Sequence, residues 1–331
     1  FALLLILVLV VGASVVASKF NDDGGNPYPF TRKQTVFTQV EGAFLNLLER
    51  AVGDQYKIVI YENNSTDFTK NILETFRDNE HFNIIMEDID EETIKRESKI
   101  WAYTKVTGSD HPCRIEQISN ARNKLVSEFE KDIYNDYNYV VMVDFDSKLF
   151  MIDGILASLE LVRENRKRII YANSPNYYDY YALRSKHSEY NLFGPELTGE
   201  FFWQKMKVKP LELNHQSKKL CSVYSAFNGI GVYDKNVFKN HRYDALISNK
   251  VKEMYKTIIS QNTDIYNEFR TLISNDCPKF VDGERDETTG FVWKNNSGYN
   301  KPVICEHVSF NFSALSDGYE IFINPAMLYW W

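Results

Sequence analysis

The sequence predicts an α/β fold of Rossmann-like organisation around a mostly parallel central sheet, and three observations carry that expectation. Short buried strands alternate with amphipathic helices through the first half of the chain. The most regular strand, residues 139–143, stops at two acids two positions apart, Asp144 and Asp146. A second strand, residues 56–61, stops at a third acid, Glu62. In open α/β sheets ligands sit beyond the carboxyl ends of the strands, which is where these acids fall.

The elements follow from local patterning. Residues 36–52 repeat apolar side chains at Val40, Phe44, Leu47, Leu48 and Ala51, the spacing of one helix face. Strand 56–61 leads into a polar loop, a helix over 67–76 and a strand over 82–86. Ser119 is placed to cap a helix bearing Ala121, Leu125, Val126 and Phe129. A helix over 152–164 and a strand over 168–172 follow the acid pair. Residues 191–222 lack a clear period and read as loops over the site, residues 243–275 as one continuous helical segment, and residues 302–305 as a strand.

The first 18 residues are uncharged and almost entirely apolar. A membrane helix needs about 20 such residues, more than the apolar core of a signal peptide. A signal-anchor over 1–18, with a cleaved signal peptide as the alternative, a stem over 19–35 and a catalytic domain over 36–331 are therefore expected. The destination is the Golgi or endoplasmic reticulum membrane, with the domain in the lumen (type II) and the membrane as a partner. Sequons at Asn63, Asn64, Asn295 and Asn311 fit that compartment. The four cysteines, Cys113, Cys221, Cys277 and Cys305, allow one or two disulfides there, and their spacing is not that of a zinc site. A net charge of −7 argues against a nucleic-acid partner, which would need a concentrated positive surface.

Asp144-Phe145-Asp146 is the segment with the most chemistry. Two carboxylates at a strand end suit a hard divalent cation such as Mn²⁺ or Mg²⁺, which shares oxygen ligands with substrate phosphates. Such a cation neutralises a diphosphate leaving group. Glu62, with Asn63 and Asp67 in the hydroxyl-rich turn after its strand, suits a base and ribose. Arg122 can reach phosphate by charge-assisted hydrogen bonds. A haloacid-dehalogenase-like phosphatase also begins from an acidic strand end, but Lys148 stands where such enzymes usually carry Thr or Val. A third reading is a carbohydrate-binding protein of the same shape without catalysis.

The order of these motifs resembles the fungal capsule-associated α-1,3-mannosyltransferase family. The resemblance runs over about residues 36–315. It rests on Tyr61-Glu62-Asn63-Asn64-Ser65-Thr66-Asp67-Phe68-Thr69, on Arg114-Ile115 and on Arg122-Asn123-Lys124-Leu125. The acid pair, Tyr178-Asp179 with Leu183-Arg184, Phe227-Asn228-Gly229 and Cys305-Glu306-His307 continue it in order. Two positions depart from the family: a full Asp-x-Asp replaces its usual Asn-Asp pair, and Phe227 replaces a Trp.

The resemblance implies a GT-A nucleotide-sugar transferase. Its donor is GDP-mannose or a UDP-hexose, and its acceptor is a glycan hydroxyl. It implies Glu62, Asn63, Asp67, Arg114, Arg122, Asn123, Asp144, Arg184, Asn228 and Gly229 around the donor. His307 joins Asp144 and Asp146 at the metal, and Asp146, Asp179 and Glu306 serve catalysis. The resemblance suggests retention of the anomeric configuration, with the leaving diphosphate assisting the incoming hydroxyl. If the reaction inverts instead, it needs a carboxylate base, for which Asp286 or Glu306 stands.

Overall fold

The computed structural model describes residues 4–11, 53–104, 109–144, 149–175, 177–186, 193–199, 213–217, 219–263, 267, 270, 273–274, 283–295 and 299–330. The expected helix over 36–52 lies outside them, as do Asp146, Lys148 and Cys277.

The first half contains β1 (Leu4–Val11), β2 (Tyr56–Asn63), α1 (Thr69–Glu74), β3 (Phe82–Glu87) and α2 (Glu91–Glu97). The small hairpin β4 (Trp101–Thr104) and β5 (Ser109–Pro112) precedes α3 (Arg114–Phe129), β6 (Tyr139–Asp144) and β7 (Leu149–Phe150). Next come α4 (Ile152–Glu164), β8 (Arg168–Asn173), β9 (Arg184–Ser185), α5 (Pro195–Thr198), β10 (Cys221–Ser225) and β11 (Ile230–Asp234). The chain closes with α6 (Asn249–Gln261), the hairpin β12 (Gly283–Asp286) and β13 (Phe291–Lys294), α7 (Glu306–Ser316) and β14 (Glu320–Trp330).

Among the described residues ten strands form one sheet in the order β3-β2-β1-β6-β11-β8-β14-β10-β9, with β7 beside β14. Strands β3, β2, β1 and β6 are parallel, as are β8 and β14. Strand β11 runs antiparallel between β6 and β8. The sheet is therefore mixed rather than mostly parallel. The reason is that a strand buried on both faces reads as a continuous apolar run in either direction.

Strand β6 shows how two layers are built. Val140 and Met142 point to the α3 side and pack with Leu125 and Val126. Tyr139, Val141 and Val143 point the other way, toward Ile152, Ile155 and Val162 of α4. The period of two in a strand divides one apolar segment between two cores.

Four sequence expectations are corrected here. Leu4–Val11 pairs as a parallel strand with both β2 and β6, where a membrane-spanning segment was expected. A central parallel strand and a membrane helix are both continuous apolar runs, and this one is rich in β-branched and Leu residues that suit either. Among the described residues no helix is long and apolar enough to cross a membrane. Helix α3 begins at Arg114 rather than near Ser119, whose hydroxyl instead donates to the Ile115 carbonyl inside the helix. Helix α6 starts at Asn249, capped by Ser248, so residues 243–248 are not helical. Residues 302–305 form no strand; Val303 makes one isolated bridge to Leu246 and Cys305 is the N-cap of α7.

Cys113, Cys221 and Cys305 are free thiols, against the disulfides expected for them. The Asn311 sequon is closed to modification in the fold. Its amide is fully buried, donating to Ser225 Oγ at 2.9 Å and accepting from the Tyr171 hydroxyl at 2.5 Å.

Candidate active site

Four segments converge where β6 leaves the sheet. Asp144 is the last residue of β6, and its amide donates to the Gly229 carbonyl at 2.9 Å. Arg122 comes from the middle of α3, Glu306 from the first turn of α7, and Asp179 from the loop after β8. The turn between β10 and β11 supplies Asn228 and Gly229, both with positive φ, 55° and 89°.

Arg122 is the hub. It is 2% exposed, and its Nη2 lies 2.9 Å from Oδ1 and 3.0 Å from Oδ2 of Asp144, with the angle of a hydrogen bond at Oδ2. Its Nε donates to Glu306 Oε1 at 3.2 Å. The guanidinium carbon lies 4.6 Å from the centre of the Phe227 ring and 5.7 Å from that of Tyr243, favourable cation–π geometry. Burial alone would lower the Arg122 pKa, but Asp144 and Glu306 reverse that and hold the side chain charged. Nη1 is buried without a hydrogen-bond partner, a donor left over for an anion.

Asp179 accepts from the amides of Ala182, at 3.1 Å, and Asn228, at 3.4 Å. Burial, with help from the nearby charges of Glu306 and Asp144, pushes its carboxyl up to about 6. A carboxyl poised there changes protonation close to neutrality, as a general acid or base requires. The Asn228 side-chain amide is fully buried, and neither its oxygen nor its nitrogen has a hydrogen-bond partner. Buried polar groups in native proteins are nearly always satisfied, so an empty amide beside these carboxylates marks a place for a polar ligand.

Of the expected metal ligands, Asp144 and His307 are described and Asp146 is not. Asp144 Oδ1 is buried and lies 2.9 Å from Arg122 Nη2 without the alignment of a hydrogen bond. His307 sits elsewhere in the local packing, stacked on Phe227 with ring centres 3.7 Å apart and edge-on to Tyr171 and Tyr243. Both its ring nitrogens are buried without hydrogen bonds, and burial together with Arg122 keeps the imidazole neutral. Among the described residues no three His, Cys, Asp or Glu side chains are grouped to hold a metal; Asp146, expected beside Asp144 and His307, lies outside them.

Other expected donor contacts have structural employment. Every guanidinium nitrogen of Arg184 is engaged: with both Glu196 oxygens at 2.7 and 3.0 Å, the Tyr255 hydroxyl, and the carbonyls of Tyr181 and Leu183. Asn123 clasps the backbone of Tyr243 through both its amide atoms. Asp67 accepts from the amide of Thr69 at the start of α1, and Arg114 is exposed at the start of α3. Asp286, offered as a base, is paired with Lys252 and Trp293. Although burial opposes it, those partners hold its carboxyl down at about 2, too acidic for that task.

Glu62 is buried at the end of β2, with Oε1 accepting from Ser65 and Oε2 without a hydrogen-bond partner. Its neighbour Asn63 lines a cleft of about 550 Å³ shared with Glu87, Lys99, Asn120 and Lys124. Two residues that sequence reasoning missed stand at the site itself. Tyr243 faces Arg122, and the Tyr329 hydroxyl donates to the Asp144 carbonyl at 3.1 Å. Tyr329 lies in no motif or periodic segment, and Tyr243 only opens the segment 243–275 that was expected to be helical.

Comparison with known proteins gives one extensive match. The family model described as cryptococcal mannosyltransferase 1 matches residues 29–274, more than half of the chain. No curated protein sequence matches. Among solved structures, the chain is similar to TarS 1–349 of S. aureus, at 9% identity and a TM-score of 0.40, over 99% of this chain and 59% of that one. It thus spans less than two thirds of that chain's length. A mannosyltransferase of Pyrobaculum calidifontis, solved with GDP-Man and Mn²⁺, is 9% identical with a TM-score of 0.37, over 79% and 53% of the two chains. The assignment rests on the family match.

Proposed function

The chain belongs to the family of cryptococcal mannosyltransferase 1, and on that premise we propose that it is a metal-dependent glycosyltransferase moving a hexose from a nucleotide diphosphate sugar to a glycan hydroxyl. Mannose carried on GDP is the first donor to test, because the family is one of mannosyltransferases. The observation that carries the reading is the cluster of buried Arg122 and Glu306 with the part-exposed Asp144 and Asp179 at the end of β6.

The residues divide the work as follows. Arg122 holds Asp144 in place and offers its unpartnered Nη1 to a phosphate oxygen. Asp144 and Asp146 would hold the divalent cation, which supplies charge neutralisation for the departing diphosphate. Glu62 and Asn63 face the nucleoside from the end of β2. The Asn228 amide binds hydroxyls of the sugar or the acceptor. Asp179 holds or accepts the proton of an acceptor hydroxyl, in the pH range its raised carboxyl allows.

The compartment of this reading is the lumen of the secretory pathway. The sequons at Asn64 and Asn295 support it, and so does a glycan acceptor.

The direct test offers GDP-mannose, UDP-glucose and UDP-galactose with mannosides and Mn²⁺, and follows release of the nucleoside diphosphate. Acceptor-dependent release from GDP-mannose supports the proposal. Hydrolysis of simple phosphate esters instead, with a phosphorylated Asp144, would select a phosphatase.

A further inference from the structure

We infer that Tyr329, near the end of the last strand, is a positioning residue that fixes Asp144 and thereby sets the affinity of the site for cation and diphosphate. Three contacts of this buried side chain support it. The hydroxyl donates to the carbonyl of Asp144, the point where β6 ends and the ladder stops supplying partners. The hydroxyl satisfies this part-buried strand-end carbonyl, and a side chain that does so also fixes the direction in which the chain leaves.

The second contact is with Gly229. A Cβ there would come within 2.3 Å of the Tyr329 ring, so the ring lies directly against that backbone. The Gly229 carbonyl in turn accepts the Asp144 amide, so Tyr329 touches both partners of that hydrogen bond. The third contact is a stack on Tyr178, with ring centres 6.3 Å apart and planes at 25°, immediately before Asp179. One side chain thus meets the acidic strand end, the Asn228-Gly229 turn and the segment bearing Asp179.

The backbone of the same residue acts on the far side of residues 145–148. Tyr329 is in register with Phe150 of β7, and the Met151 amide donates to the Leu328 carbonyl at 3.0 Å. The chain entering that segment and the chain leaving it are therefore anchored to one strand. That strand lies beyond residue 274, outside the matched family region.

The cation part of this inference rests on the metal-dependent reading above; the positional part does not. The test is Tyr329→Phe, which keeps the ring on Gly229 and Tyr178 and removes only the donor. Hydrogen exchange is followed in the ligand-free protein, and binding of GDP with Mn²⁺ is measured separately. Exchange at the Asp144 and Met151 amides is expected to rise about three- to tenfold, the range one net hydrogen bond spans. Amides of β3 are expected to stay as in the wild type. GDP affinity with Mn²⁺ is expected to weaken by a similar factor.

Unchanged exchange at Asp144 and Met151 would overturn the inference, as would an equal rise throughout β3. Altered exchange with unaltered GDP affinity would overturn its cation part. If the wild type itself binds no GDP with Mn²⁺, the functional reading fails, while the exchange result still decides the positional role of Tyr329.

Discussion

Arg122 grips Asp144 from the side. Its Nη2 lies 2.9 and 3.0 Å from the two carboxylate oxygens, while its Nε binds Glu306. One buried cation thus serves a strand-end acid and a helix-start acid. Replacing it with Met would leave Glu306 buried without its counter-charge. Removing one partner of a buried pair typically costs about 3–5 kcal/mol. Arg122→Met is expected to lose stability on that scale in urea unfolding; a loss under about 1 kcal/mol would show that the cluster does not depend on it.

Asp179 gives the fold a pH dependence. Its carboxyl is raised to about 6 by burial and by the charges of Glu306 and Asp144, so the folded state binds this proton more tightly than the unfolded one. The resulting stabilisation is complete below about pH 3.9, the unfolded value, and is lost as pH rises through about 6. Asp179→Asn should flatten this part of the stability profile between pH 4 and 6. In transfer assays the wild-type rate should climb through about pH 6, and the variant should lose the climb.

Arg184 predicts the opposite division between stability and binding. Its bidentate pair with Glu196 is fully buried and all its nitrogens are engaged. Arg184→Met should destabilise the fold by about 3–5 kcal/mol. At a temperature where the variant remains folded, its nucleotide affinity should match the wild type. A stable variant with weakened nucleotide binding would restore the phosphate role that the motif order implied.

Asn311 heads a sequon, yet it is buried between the Tyr171 hydroxyl, Ser225 Oγ and the Ala226 carbonyl. Asn311→Ala leaves those groups short of partners, at a cost of about 1–3 kcal/mol. Mass spectrometry of the protein expressed through a secretory pathway should find the Asn311 peptide unmodified. A glycan there would mean that the α7 packing is not the one described.

Elements with a clear period and unambiguous ends were legible in the sequence. Helix α4 has the bounds its apolar spacing implied, and β2, β3, β6 and β8 fall within two residues of theirs. Apolar residues 4–11 were not legible, because a strand paired on both edges inside a parallel sheet and a membrane helix share one composition. Strand β14 was missed entirely, since its Asn324-Pro325 interrupts the alternation that marks a strand. At the site, Asp144, Arg122, Glu306, Asp179 and Asn228 were found through residue type and order, and the structure brings them together. Arg184 and His307 carry the same chemistry on paper. The fold gives Arg184 a carboxylate partner and sets His307 in an aromatic cage, surroundings that residue type and order do not reveal. Tyr329 had no signal, because its role comes from a contact with a residue 185 positions away.

The most direct test of the central claim is titration calorimetry of GDP binding, with and without Mn²⁺, in the wild type and in Asp144→Asn. The account predicts binding that requires Mn²⁺ and is lost, or weakened at least tenfold, in a variant that still melts cooperatively. Equal binding by both proteins, or no response to Mn²⁺, would contradict a diphosphate site built on Asp144.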